Sequence, residues 1–223
     1  MDDIERAGQM LTAAMAELES IKTYSCVVLC QDRIGGQLRK QERIQSVFRA
    51  PRSVYLRWLP GPYEGLQASY VPERDGDDKF QARETGLKGL VGAVSWASDS
   101  PMIDKMYPHH FRTHETSVFF LVQLSAQIAL KARDLGKVRV AKIEDVNDPW
   151  LKRPATLVDS EMSKDPKDGL RWPRTELYFD KETKLPLHFK LHAFDGGLFG
   201  EYAFSEFKKN IEVRPDAFEL KKL

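Results

Sequence analysis

Three of the five histidines fall in one short stretch, Pro108-His-His-Phe-Arg-Thr-His114-Glu115. On a helix, His110 and His114 would stand at i and i+4 on one face with Glu115 beside them, a ligand set able to hold a metal-activated water. His109, His110, His114 and Glu115 are the chain's only support for a metal-dependent enzyme. Pro108 opens the segment, however, and helical periodicity starts only near Thr116, which places the histidines in a loop where that spacing has no meaning. The glutamate follows the second histidine, unlike the His-Glu-x-x-His order of zinc proteases. Arg112 lies among them, and a guanidinium opposes a dication. His188 and His192 share a strand face about 13 Å apart, too far to share an ion. No metal and no cofactor are expected.

The remaining chemistry is equally sparse. Cys26 and Cys30 lie four residues apart in a strand-like segment, beyond disulfide reach and at the wrong spacing for a zinc knuckle. Two buried thiols on one strand face are expected. Gly86-x-x-Gly89-x-x-Gly92 lacks the Gly-Lys-Ser/Thr ending and the βαβ unit of a phosphate-cradling loop, so a tight turn or bulge is the better reading. Glu144-Asp145 and Asp159-Ser-Glu161 read as solvated charge. No Gly-x-Ser-x-Gly elbow occurs. The chain is therefore expected to have no catalytic residues and not to be an enzyme.

The elements that carry these residues follow from periodicity. Ile4, Ala7, Leu11, Ala14, Leu18 and Ile21 form one apolar stripe of a helix over about 2–21, capped by Asp2 or Asp3. From Tyr24 the period becomes two. Strands are expected at 23–34, 37–49, 52–59, 66–72 and 78–84, with hairpin signals at Gly35-Gly36 and Asp75-Gly76. Residues 95–108 read as irregular. A central helix spans about Thr116 to Arg133 and ends at Gly136. Strands resume at 137–146, 154–163, 173–181, 186–194 and 199–208. Connections this short leave no room for crossover helices, so pairing is antiparallel. The 223 residues are expected to form a single domain over 1–223, with the sheet and the inserted helix within 23–220.

The fold class expected is α+β: about ten antiparallel strands in a curved sheet or incomplete β-barrel. The N-terminal and central helices would cover its concave face, because ten twisted strands seldom stay open without curling. Alternation puts Leu187, Phe189, Leu191 and Ala193 on one face and His188, Lys190 and His192 on the other. Ile44, Phe48, Leu56, Trp58, Phe80, Phe179, Phe189 and Leu191 are expected to face inward. They form either a filled core or, if the helices cover the curve incompletely, the lining of an apolar ligand cavity. Lys+Arg 34 against Asp+Glu 33 gives a net charge of +1, which leaves no basic footprint for nucleic acid. The longest apolar run, Ser117 to Leu130, is too short to cross a bilayer. Met1-Asp-Asp-Ile-Glu-Arg6 is no export signal, so either the protein is cytosolic or such a signal has been removed.

Several short stretches, taken in order, have a known likeness. Pro51-Arg-Ser-Val-Tyr-Leu-Arg-Trp58 resembles the Pro…Trp strand of the LolA-like superfamily of periplasmic lipoprotein carriers. Leu177-Tyr-Phe-Asp180 with Thr183-Lys-Leu-Pro186 resembles their late hairpin. Asp195-Gly-Gly-Leu198, Glu201-Tyr202-Ala-Phe204 and Pro215-Asp-Ala-Phe218 resemble their closing strands. With Gly86-Leu-Lys-Gly-Leu90, the set is similar to one uncharacterised bacterial family of exported proteins, a domain of unknown function, over roughly Ile21 to Leu220. The resemblance implies an incomplete barrel in the periplasm or cell envelope that holds a lipid, acyl chain or acylated protein. It also leaves open an interaction or sensor module with a filled core, docking an envelope protein partner on a sheet edge or on segment 95–115.

Overall fold

The computed structural model describes residues 2–86 and 92–220. Most of the glycine-spaced stretch from Gly86 to Gly92 lies outside them. Along the chain come α1 (Asp3–Glu19), β1 (Thr23–Ile34), β2 (Gln37–Leu38), β3 (Glu42–Arg49), β4 (Ser53–Trp58) and β5 (Gln67–Tyr70). A single turn, α2 (Pro72–Asp75), precedes β6 (Lys79–Arg83), β7 (Val94–Ala97), α3 (Pro101–Met106) and α4 (Val118–Asp134). Five strands finish the chain: β8 (Val138–Asn147), β9 (Pro154–Met162), β10 (Arg174–Asp180), β11 (Pro186–His192) and β12 (Leu198–Lys209).

The fold is α+β with an antiparallel sheet of twelve strands that does not close into a barrel, since β7 and β8 end its hydrogen-bonded order. The expected ten become twelve for two reasons. The span 37–49 breaks at residues 39–41 into β2 and β3, and part of the stretch expected to be irregular, 95–108, is ordered. There β7 pairs with β6, Phe80 opposite Trp96, and Pro101 starts the short helix α3. Proline at a helix start supplies a preset φ and lacks only an N–H that would be unpaired anyway. No helix among the described residues is long and apolar enough to cross a membrane.

The chain falls into two compact units, Met1–Ser20 with Val118–Phe204, and Ile21–Ser117 with Ser205–Leu223. In the first, α1 packs on α4 and β8, and α4 also meets β11. Asp2 caps α1 by accepting from the Glu5 amide at 2.7 Å. Ala7, Leu11, Ala14 and Leu18 are its buried stripe. Gly136, at φ +65°, closes α4 in a left-handed conformation that costs glycine nothing. The strand order in this unit is β12-β11-β10-β9-β8, with Leu177 opposite both Val158 and Phe189.

In the second unit the order is β7-β6-β5-β4-β3-β1. Gly35 and Gly36, at φ +58° and +79°, form the two-residue turn that pairs Ile34 with Gln37, as expected for a primed hairpin turn. Tyr24 stacks on Phe48 with ring centroids 4.9 Å apart. The segment after β12 is fastened to the same sheet. Asn210 donates its amide to the Thr23 carbonyl, and Ser69 Oγ donates to the Phe218 carbonyl at 2.7 Å. The Arg49 guanidinium lies 4.7 Å over the Phe218 ring.

Gly8 sits in the middle of α1, and a Cβ built there meets no atom within 4 Å. Glycine in a helix interior costs about 1 kcal/mol relative to alanine. Gly8→Ala should therefore raise unfolding free energy by about 1 kcal/mol, read from the urea midpoint at unchanged m-value. A lower midpoint would mean that the helix is strained there.

Candidate functional site

The first unit contains a cavity of about 940 Å³. Two helices and three strands wall it. From α1 come Ala7, Gly8, Leu11 and Met15, and from α4 come Ala126, Ile128 and Ala129. The strand wall is Val138 and Val140 of β8, Val158 and Met162 of β9, and Leu177 and Phe179 of β10. Period-two alternation sends these strand residues to one side, and the small residues at Ala7, Gly8, Ala126 and Ala129 keep the helices from filling the space. Polar side chains stand at its exposed edge: Asp2, Glu5, Gln9 and Arg133. Two apolar residues of the lining remain substantially open to solvent, Ile4 at 36% and Leu130 at 51%. An open-mouthed apolar cavity of this size matches small-molecule sites, which run to about 300–1,000 Å³.

Of the eight side chains expected to face inward, Phe179 stands on the wall of this cavity. Phe189 and Leu191 are buried in the same unit, at the register positions opposite Leu177 and Thr175. Ile44, Phe48, Leu56, Trp58 and Phe80 are buried in the second unit. Sequence reasoning did not single out the helix residues that shape the cavity. The signal was present as small residues on the apolar stripes of both helices.

The opposite face of β10 and β11 carries a buried polar network. His188 is fully buried. Its Nδ1 faces Asp148 Oδ2 at 3.0 Å and its Nε2 faces Glu201 Oε1 at 2.9 Å. Its ring lies between Tyr178, 4.4 Å away at 12°, and Trp150, 5.3 Å away at 17°. Only an imidazolium can donate from both nitrogens to two carboxylates. Burial by itself lowers the His188 pKa, but the bonds to Asp148 and Glu201 outweigh it and raise the value. Asp148, also buried, is held below the usual carboxylate range because the His188 bond and the amides of Leu151 and Trp150 outweigh desolvation. Nearby, the His192 bond and the charges of Lys190 and Arg174 bring Glu176 down to about 2. Arg174 grips Asp159 through Nε and an Nη, both at 2.9 Å. These groups pair with one another within the face.

The histidines of the 108–115 loop diverge. His109 Nδ1 faces Asp32 at 3.2 Å. His110 Nε2 faces the Arg33 carbonyl at 3.0 Å, and the His114 ring lies 4.8 Å from that of Tyr70. Glu115 accepts the Arg112 amide at 2.9 Å, capping the turn that follows. His110, His114 and Glu115 do not form a ligand set. His109 instead joins Cys30 and Glu42, with ligand atoms all within 4.8 Å of one another. Cys26 and Cys30 are buried and free of disulfide.

Comparison with known proteins adds a family and a fold. A family model described as a protein of unknown function, DUF1571, matches residues 21–222. Among curated proteins, none is similar in sequence. An uncharacterised conserved protein from Thermus thermophilus is 13% identical, with 97% of this chain and 94% of that one covered at a TM-score of 0.52. The lipoprotein LppX of Mycobacterium tuberculosis is 8% identical, with coverages of 96% and 100% and a TM-score of 0.50. MucB is 15% identical over 96% of this chain and 62% of its own, at a TM-score of 0.49.

Proposed function

The chain belongs to the DUF1571 family, and from that premise we propose that it is a non-enzymatic binding protein of the bacterial cell envelope that holds a lipid or acyl chain in the cavity of its first unit. The observation that carries this reading is the cavity of about 940 Å³ with apolar walls and a polar edge. Each methylene taken from water into such a space contributes about 0.8 kcal/mol, so a chain of about twelve carbons gains roughly 10 kcal/mol before ordering costs. No polar contact is needed for useful affinity. Arg133 at the edge suits an anionic headgroup left in solvent. The shared fold with a lipoprotein, LppX, is in keeping with this reading. The polar networks of the first unit are self-paired, which favours binding over catalysis.

Native mass spectrometry of gently purified protein tests the reading. The expected spectrum carries, besides the bare chain, a species heavier by the mass of a lipid, which organic extraction then releases. Protein that stays bare when purified from bacterial membranes, and that fails to take up a fluorescent fatty acid, would end it.

A further inference from the structure

We propose that Cys30, Glu42 and His109, all in the second unit, form a binding site for a divalent cation of the zinc class. Cys30 of β1 and Glu42 of β3 are direct register partners, so their side chains leave the sheet on the same face a few ångströms apart. Both are buried. His109 comes from the loop after α3, and its imidazole completes a set of one sulfur, one oxygen and one nitrogen whose atoms all lie within 4.8 Å of one another.

Two features of His109 point to a cation. Its Nε2 is buried without a hydrogen-bond partner, a condition that buried polar atoms rarely keep. It lies 3.6 Å from Glu42 Oε2, too far for a hydrogen bond. Bonds of about 2.0–2.3 Å from a tetrahedral zinc put ligand atoms roughly 3.3–3.6 Å apart, close to that separation. The other nitrogen, Nδ1, faces Asp32 Oδ2 at 3.2 Å. Asp32 lies two residues from Cys30 and so on the same strand face. A carboxylate on one imidazole nitrogen fixes the tautomer and aims the lone pair of the other, the usual support of a zinc-bound histidine. Glu42 is held in the same way by Trp58, whose Nε1 donates to Oε2 at 2.7 Å.

The donor set selects the cation. Calcium and magnesium take oxygen ligands, whereas thiolate, imidazole and carboxylate together suit zinc. Binding replaces the S–H bond of Cys30 with an S–Zn bond and releases that proton to solvent. Three protein ligands leave the fourth tetrahedral position for water.

The test uses the full chain, stripped with a chelator and titrated with Co²⁺ alone and then Zn²⁺ alone. One equivalent of Co²⁺ should bind with a thiolate-to-cobalt band in the near ultraviolet that one equivalent of Zn²⁺ abolishes. Cys30→Ser and His109→Gln should each lose the band, and Cys26→Ser, on the same strand face, should keep it. Asp32→Asn should keep the stoichiometry while weakening binding about 10–100-fold. Circular dichroism identifies any variant that fails to fold. His109→Gln, in a loop, decides if Cys30→Ser does not fold. Absence of a saturable site in folded wild-type protein, or a band that survives in folded His109→Gln, would overturn the assignment.

Discussion

Replacing His188 with glutamine should destabilise the protein by about 3–5 kcal/mol, the usual cost of leaving buried charges without their partner. The variant keeps a similar volume but cannot carry a charge, so Asp148 and Glu201 would face each other across an amide. It also leaves Trp150 and Tyr178 without the cation stacked between them. Urea unfolding near pH 6 measures the loss. The pH dependence gives a second, sharper signature. Because the folded pKa of His188 is raised, its contribution is fully present below the unfolded value of about 6.5 and fades as pH rises through the folded value. Asp148, whose folded pKa is lowered, acts oppositely: its contribution is complete above about 4 and fades in acid. Wild-type stability should therefore fall above neutral pH in a component that is flat in His188→Gln. A loss below 1 kcal/mol, or parallel pH profiles for the two proteins, would mean that the triad is not charged in the folded state.

The largest functional effect is expected from filling the cavity. Gly8→Phe combined with Ala126→Phe puts two rings on facing helices into the space now open between them. Displacing only two methylenes of a bound chain costs about 1.6 kcal/mol, roughly tenfold in affinity. The lipid carried through purification should drop by at least about that factor, while the urea midpoint holds or rises because the cavity is better filled. Undiminished lipid in a folded double variant would place the ligand elsewhere on the molecule.

Much of this fold was legible because the periods are clean. The stripe from Ile4 to Leu18 and the alternation around Phe189 each point to one structure. The Gly35-Gly36 turn fixes its hairpin by chemistry alone. The expectation lost accuracy at β7 and α3, where Val94–Ala97 is too short to show a period and mostly exposed. A strand of that kind is decided by its neighbour β6. The site was less legible. The cavity arises from what Gly8, Ala126 and Ala129 leave empty, and absence of volume has no motif. The partners of His188 come from positions 148 and 201, and those of His109 from 30, 32 and 42, separations over which spacing rules carry no information. The histidine pattern that did stand out, His110 to His114, runs from a loop into a single 3-10 turn, Thr113–Glu115, and not along one α-helix face.

The first helix has a consequence for how the chain is made. Its apolar stripe is covered by α4 and β8, which follow only after residues 21–117 of the other unit. At about 5–20 residues per second, a ribosome needs roughly 5–20 s to deliver the first of those partners. Through that interval Ala7, Leu11, Ala14 and Leu18 have nothing native to cover them, and loop-closure entropy slows the eventual docking. The nascent helix is thus a natural client for a holding chaperone, and its own unit is complete at Phe204, before the other unit receives its closing segment 205–223.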